Sequence, residues 1–427
     1  MSKQSSGWEL YCGVKNMLRC DEAEVVHGIA DYVVSQHRSL RLLSNAIERT
    51  RNTPVPGVIA LIGWLRCFLS VRPGQRNDGA VWIARLSNER RAIERMLPFA
   101  QDLRWTELKF QSRPDTTALR ALTKHHWPRR IFKLVRRLRR RHDFFKVLRV
   151  VEFTGYYTRY LEIFQNSSFN LAVMSSHSNP HGLAFNLAAR KCGVPVVLIT
   201  HGMPIRPVAR LVYDVAVVHC EFARRVYAEE GSRMNRALTH GRRQDYAPMP
   251  SQLPKQLKVG IFLCKDVNEK CLQAIVKRLL SEPNVSSIRI RPHPKNLWLG
   301  LKDWIAAQQD PRVGINANDS VFQDVKSVDI VLGGNSSVLI DAVTAGRPGG
   351  YVTDLDHGPH DLHRLVECGL IYPMQDNWTP DSMLLFYQQP GWLNVLRLFA
   401  NIDEHEETVA MQMASTMRQL AMKSSSK

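Results

Sequence analysis

Acidic residues are in deficit. The sequence sets 39 Asp and Glu against 58 Lys and Arg, a formal net charge of +19 at pH 7. That excess goes beyond what solubility needs and points to a polyanionic or membrane-surface partner. The eight cysteines, at 12, 20, 67, 192, 220, 264, 271 and 368, form no Cys-x-x-Cys pair and no Cys/His cluster. This excludes a sequence-local zinc module and fits free thiols in a reducing cytosol. Long apolar runs are missing too. Residues 1 to 20 interleave Lys3, Glu9, Lys15 and Arg19 with single apolar residues, unlike a secretion signal. The run Val58 to Leu65 is closed by Arg66 and continues only to Val71, short of the ~20 residues of a spanning helix. A cytoplasmic chain without a transmembrane helix is expected. There is no internal repeat and no low-complexity tract apart from a Ser/Lys tail at 423–427, expected to fray.

What is present is enough for two domains: 427 residues, 44% of them hydrophobic. In the first hundred residues, 23–49 has helical apolar spacing, and a strand at 81–84 feeds a helix at 88–99. From Trp127 to Val150 ten Lys/Arg accompany one acid, with Ile131, Leu134, Val135, Leu138, Phe145 and Leu148 at roughly helical intervals. The segment reads as a basic amphipathic helix, either a solvated helix packed on the core or one drawn to phosphates. The pattern then becomes α/β: strand 171–175, helix 182–192, strand 194–200, strand 213–219 and helix 221–230. A polar, proline-punctuated stretch at 240–257 reads as a linker. Beyond it come strand 258–263, helix 268–280, strand 287–291, helix 299–308, strand 328–332, helix 337–345 and strand 350–352. The expected architecture is α/β, with two doubly wound sheets facing one another.

Chemistry-bearing residues fall at strand ends, where open α/β sheets bind ligands. Thr200-His201-Gly202-Met203-Pro204 follows the strand ending at Ile199, and an imidazole there can serve as a base near neutral pH. A loop histidine is ordinarily packed or capping; Gly202 and Pro204, which tighten the turn, favour the catalytic reading. Arg289-Ile290-Arg291-Pro292-His293-Pro294-Lys295 puts guanidinium, imidazole and ammonium groups on a stiff loop suited to a diphosphate or sugar phosphate. Gly333-Gly334-Asn335-Ser336-Ser337 leads into a helix carrying Asp341, where glycines permit close backbone approach and serines with free amides suit an anion, helix capping being the plainer role. Neither a P-loop nor a full Gly-x-Gly-x-x-Gly occurs, so ATPase and dehydrogenase readings lack support. Weaker candidates are Lys265, after the strand at 258–263, for a phosphate, and the polar run Ser175-Ser176-His177-Ser178-Asn179-Pro180-His181. No Asp-x-Asp pair is read near a strand end, so no metal is expected.

In order and spacing, His-Gly-x-Pro at 201–204, Arg-Pro-His-Pro at 291–294 and Ser-Ser-x-x-x-Asp at 336–341 resemble the series in CDP-glycerol glycerophosphotransferases. The last two also resemble motifs of capsular Kdo transferases and bacterial sialyl- and polysialyltransferases, all within the GT-B class of bacterial surface-polymer synthesis. The likeness covers roughly residues 170 to 355. It departs from the glycerophosphotransferase pattern at Gly333-Gly334-Asn335, where an acid-aromatic pair is usual, and it lacks the acidic Asp/Glu-Asp/Glu-Gly motif of the sialyltransferases. The resemblance implies a GT-B fold of two Rossmann-like domains across a cleft: an acceptor domain at 1–245, a donor domain at 246–403, and a helix at 404–427 crossing back to the first.

It also implies roles. His201 is the base that deprotonates the acceptor. His293, with Arg291, holds the donor's phosphate, Ser336 and Ser337 bind phosphate or nucleotide, and Asp341 joins them or only orders its helix. From the residues alone, Lys265 and Asn335 are added on the donor side, and His177 and Asn179 border the acceptor. The implied activity is a metal-independent, inverting glycosyltransferase with no cofactor. It moves sugar from a CMP- or UDP-linked donor to a lipid-linked or surface glycan at the cytoplasmic membrane face, where residues 127–150 meet anionic lipid. The alternatives are a polyol-phosphate transferase using a CDP-linked donor and a non-catalytic nucleic-acid-binding or scaffold protein. The second lacks the aromatic platform or module that nucleic-acid binders show, and no specific nucleic-acid partner is expected.

Overall fold

The computed structural model describes residues 54–72, 77–110, 127–138, 144–176, 179–204, 208, 210–294, 298, 300–316, 320–375 and 377–425. The helix expected at 23–49 lies outside them. They form two compact units: unit 1 runs to Val218 and takes in Ala223–Thr239 and Val409–Lys427, and unit 2 comprises His219–Phe222 and His240–Thr408.

Unit 1 contains, in chain order, α1 (Val55–Ser70), β1 (Val71–Arg72), β2 (Asp78–Ile83), α2 (Ser87–Glu94), β3 (Trp105–Phe110), α3 (Trp127–Leu138), α4 (Phe144–Gln165), β4 (Ser168–Met174), α5 (Pro180–Lys191), β5 (Val196–Ile199), β6 (Val212–Val218), α6 (Glu221–Glu229) and β7 (Arg233–Thr239). Its seven strands lie in the order β1-β3-β2-β4-β5-β6-β7. All neighbours are parallel except the short β1, which pairs antiparallel with β3. The central strands read as unbroken apolar runs, as strands covered on both faces must. Ala80, Leu171, Val197 and Val215 belong to a buried cluster that also holds Ile93 and Met96.

In unit 2 the elements are β8 (Leu257–Phe262), α7 (Glu269–Ser281), β9 (Val285–Arg291), α8 (Leu301–Ala307), β10 (Val313–Ile315), α9 (Val321–Lys326), β11 (Ile330–Gly333), α10 (Val338–Thr344), β12 (Gly349–Tyr351), β13 (Tyr372–Pro373), α11 (Pro380–Tyr387) and α12 (Trp392–Phe399). The wholly parallel sheet has the order β10-β9-β8-β11-β12-β13. This is the doubly wound, Rossmann-like order, reversing between β8 and β11. Both units are thus doubly wound parallel sheets, as expected from the sequence.

The last helix, α13 (Glu406–Ser425), continues through most of the Ser/Lys tail. Its Val409, Ala410, Met413, Ala414, Met417 and Ala421 are buried in the unit 1 cluster, so it completes the core of the first unit. Arg418 adds a 2.8 Å bond to Asp102, and Arg236 reaches Thr416 Oγ1 at 2.7 Å.

The basic segment 127–150 contributes α3 and the start of α4: α3 turns Ile131, Leu134 and Val135 inward, as in the reading of a solvated helix packed on the core, and α4 enters the core with Val147, Val150 and Val151 buried. Other local expectations change. Residues 240–257 are not a free linker. Arg242 is held by Asp245 and Asp341, and the Ala247 amide donates to the Thr344 carbonyl at 2.8 Å, which ties the segment to unit 2 from residue 240 onward. In addition, α1, β1, β3, β7, β10, α9, β13, α11 and α12 have no counterpart in the sequence reading.

Met413→Ala is expected to cost about 2–5 kcal/mol in urea unfolding, because it empties a fully buried site. Met411→Ala, at a residue 52% exposed on the same helix, is expected to stay within about 0.5 kcal/mol.

Candidate active site

In unit 1 the strand order reverses between β2 and β4, because β3 lies on one side of β2 and β4 on the other. The loops leaving β2 and β4 therefore flank the crevice that such reversals create, and β5 adds the loop bearing His201. His201 is exposed as a residue, while its Nδ1 lies in a part-buried position 3.1 Å from Ser175 Oγ, just beyond the end of β4. In the tautomer that donates Nδ1–H to Ser175, Nε2 keeps the lone pair a base requires. Desolvation lowers the His201 pKa and the Glu89 carboxylate opposes that shift.

Glu89 was not singled out from the sequence. It is fully buried in the first turn of α2, and Oε2 accepts the Arg85 and Leu86 amides at 2.8 and 3.1 Å. Its Oε1 has no hydrogen-bond partner. Opposite it, 3.9 Å from Oε2, stands Nε2 of His181 in the first turn of α5. His181 is enclosed by Phe110 and Tyr156 at ring distances of 5.2 and 6.0 Å. Neither of its ring nitrogens has a hydrogen-bond partner, and burial, reinforced by Arg85, pushes its pKa down to about 3. The signal available in sequence was an acid at the third helical position after a strand, which a capping role alone also explains.

Asn179 donates to Ser176 Oγ at 2.9 Å beside this crevice, whereas His177 lies outside the described residues. Gly202 does not shape its turn: a side chain there meets nothing within 4 Å. The glycine the fold requires is Gly182, where a Cβ would lie 2.1 Å from the Ser176 carbonyl oxygen.

In unit 2, Phe262 on β8 pairs with Arg291 on β9 and with Gly333 on β11. At ~4.8 Å between neighbouring strands, that row sets the loops carrying Lys265, His293 and Ser336–Ser337 side by side at the carboxyl edge, around the β8/β11 reversal. Lys265 and Ser336 are half-buried, and His293 and Ser337 are exposed.

Three other sequence candidates are held by protein partners. Arg291 is bonded to the fully buried Asp324 of α9. Asp341 accepts from Arg242 at 2.6 Å. Asn335 donates through its amide and Nδ2 to Asp356 at 2.7 and 2.9 Å and through Nδ2 to the Pro359 carbonyl at 2.7 Å, and its Oδ1 accepts from the Leu362 amide. Gly334 serves this network: a Cβ there would meet Asp356 Oδ2 at 2.1 Å. Gly334 therefore makes room for the chain's own carboxylate, whereas a Cβ on Gly333 would meet only Leu339 and Phe262 at 3.5 Å. Ser336 Oγ accepts the Val338 amide at 3.4 Å, and Ser337 makes no capping bond.

Asp354-Leu355-Asp356 follows β12 directly, an Asp-x-Asp pair that the sequence reading passed over. Among the described residues no group of three His, Cys, Asp or Glu could hold a metal ion. No described helix is long and apolar enough to cross a membrane.

No family model matches the chain, and no curated protein matches its sequence. Among solved structures it is similar to a UDP-N-acetylglucosamine 2-epimerase, with 10% identity over 81% of this chain and 97% of that one and a TM-score of 0.47. It is also similar to the Neisseria meningitidis UDP-GlcNAc 2-epimerase bound to UDP-GlcNAc, with 12% identity over 81% and 99% and a TM-score of 0.44. A third is the wall teichoic acid polymerase TagF with CDPG, with 11% identity over 99% of each chain and a TM-score of 0.46.

Two measurements check the unit 1 crevice. Because unfolded His181 binds its proton near pH 6.5 and the folded residue only near pH 3, its burial makes stability fall as pH drops from about 6.5 toward 3. His181→Gln is expected to flatten that loss in urea midpoints measured at pH 7 and pH 5. Glu89→Gln, which keeps the amide-accepting oxygen, is expected to move the His201 imidazole titration, followed by NMR, to lower pH.

Proposed function

We propose that the chain is a GT-B-type transferase. It moves a glycosyl group from a nucleotide-linked donor, bound at the carboxyl edge of unit 2, to a hydroxyl acceptor deprotonated by His201 of unit 1. The observation that carries the reading is the alignment of Lys265, His293, Ser336 and Ser337 on adjacent strand ends at the β8/β11 reversal, where doubly wound sheets bind nucleotides. Lys265 and His293 supply cationic or hydrogen-bonding contacts for the donor phosphates, and the serine hydroxyls supply donors. Arg291, Asn335 and Asp341 act by fixing these loops through Asp324, Asp356 and Arg242.

On unit 1, the acceptor hydroxyl gives its proton to His201 Nε2 as its oxygen attacks the anomeric carbon. The bond to the donor oxygen breaks, the nucleotide leaves, and the configuration inverts. Ser175 orients the ring, and Glu89 stabilises the imidazolium as it forms. No metal enters this scheme; the cationic loops stabilise the leaving phosphate. A glycan or lipid-linked glycan is the acceptor class. The exposed Lys133 and Arg136 of α3 favour work at an anionic membrane surface on the cytoplasmic side.

The His-Gly-x-Pro at 201–204 also fits a CDP-linked polyol-phosphate donor, with attack at phosphorus. A thermal-shift panel of CMP-, UDP- and CDP-linked donors tests both readings. A ligand at 100 times its Kd stabilises by about 2.7 kcal/mol. The expected outcome is a shift with one nucleotide class that is lost in His293→Ala and kept in His201→Ala, while turnover is lost in His201→Ala. Turnover with CDP-glycerol alone would select the second chemistry, and no shift with any nucleotide would refute both.

A further inference from the structure

We infer that the outer face of α1 is a lipid-inserting surface, lying in the interface of an anionic membrane. The inference rests on the membrane-surface part of the proposed function and is independent of the donor chemistry. A helix at a protein surface normally turns polar residues outward; α1 does not. Its inner face, with Ala60, Trp64, Cys67 and Phe68, is buried. It packs closely on α4, where a Cβ on Gly155 would meet the Trp64 carbonyl at 2.7 Å. The outward stripe one turn apart is Val58, 45% exposed, and Ile62, 59% exposed, followed by the half-buried Leu65. Phe132 of α3, which packs over Gly57 of α1, is itself 38% exposed and extends the apolar surface.

Among the described residues the charges on α1, β1 and α3 have one sign: Arg66 on α1, Arg72 on β1, and Lys133 and Arg136 on α3, all exposed. Neither 54–77 nor 127–142 contains a single Asp or Glu. A second protein surface could match the apolar stripe alone. An apolar helix face flanked by Arg66, Arg72, Lys133 and Arg136 matches the junction of acyl chains and anionic headgroups, where such helices lie in the plane and insert one face. At 16 residues, about 24 Å, α1 suits that in-plane position, and it does not meet the requirements of a spanning helix.

The test uses the full chain with vesicles of phosphatidylcholine alone and of phosphatidylcholine with phosphatidylglycerol. Wild type is expected to sediment with the anionic vesicles, and salt is expected to weaken that binding without abolishing it. The double variant Val58→Glu/Ile62→Glu is expected to lose partitioning by ~tenfold or more, with its unfolding midpoint and any nucleotide-induced shift unchanged. Val58→Trp is expected to show blue-shifted emission on the anionic vesicles. Wild-type failure to bind vesicles, undiminished binding by the double variant, or an unshifted Val58→Trp would overturn the inference. So would a concentration-dependent dimer that the glutamates dissociate, which would assign the face to a second copy of the chain. Because nucleotide shifts are read in solution, loss of vesicle binding with shifts intact counts against this inference alone, and the converse counts only against the donor reading.

Discussion

The parallel run of the strands is the constraint on which the rest of this structure depends. When every strand of a sheet points the same way, every loop after a strand falls on one edge, and each return must pass through a covering helix. In unit 2 this brings residues 71 positions apart, Phe262 and Gly333, into a single row with Arg291, and the motif loops follow them. In unit 1 the same constraint gathers Glu89, Ser175, His181 and His201 from the ends of β2, β4 and β5. The chemistry at both edges is a consequence of topology before it is a property of any one loop.

Loop shape is then set by partly buried polar pairs. Arg291 with Asp324, Arg242 with Asp341, and Asn335 with Asp356 each join distant segments. Asp324 alone among them is fully buried, and breaking a buried ion pair by removing one partner costs about 3–5 kcal/mol, since the other charge is left uncompensated. These side chains are thus committed to architecture, and the strand-end loops that carry Lys265, His293, Ser336 and Ser337 are positioned by it. Glu89 and His181 differ: at 3.9 Å they are too far apart for a hydrogen bond, and both keep buried polar atoms without one. Keeping such groups buried costs stability, and Glu89 acts electrostatically on His201.

Much of this was legible in the sequence. β4, β5, β6, β8, β9, β11 and β12 announced themselves as short apolar runs bounded by glycine or polar turns, and their observed limits lie within about three residues of those read, within the usual uncertainty of such boundaries. β7 escaped because, as an edge strand carrying Arg233, Asn235, Arg236 and Thr239, it has no apolar period. β10, three residues at the other edge, is too short to show one. Strand-end positions of the site residues were equally readable. Their partners were not: Asp324 is 33 residues from Arg291 and Arg242 is 99 from Asp341, and no local pattern encodes such pairings. The roles of Gly334 and Asn335 were misread for that reason, since the group crowding the glycine is Asp356.

Hydrogen exchange of the full chain with and without its best-stabilising nucleotide tests the central claim most directly. The account predicts protection concentrated in 263–266, 291–294 and 333–337, the three loops at the carboxyl edge of unit 2. Protection confined to the β2 and β4 loops of unit 1, with those three segments unchanged, would contradict it.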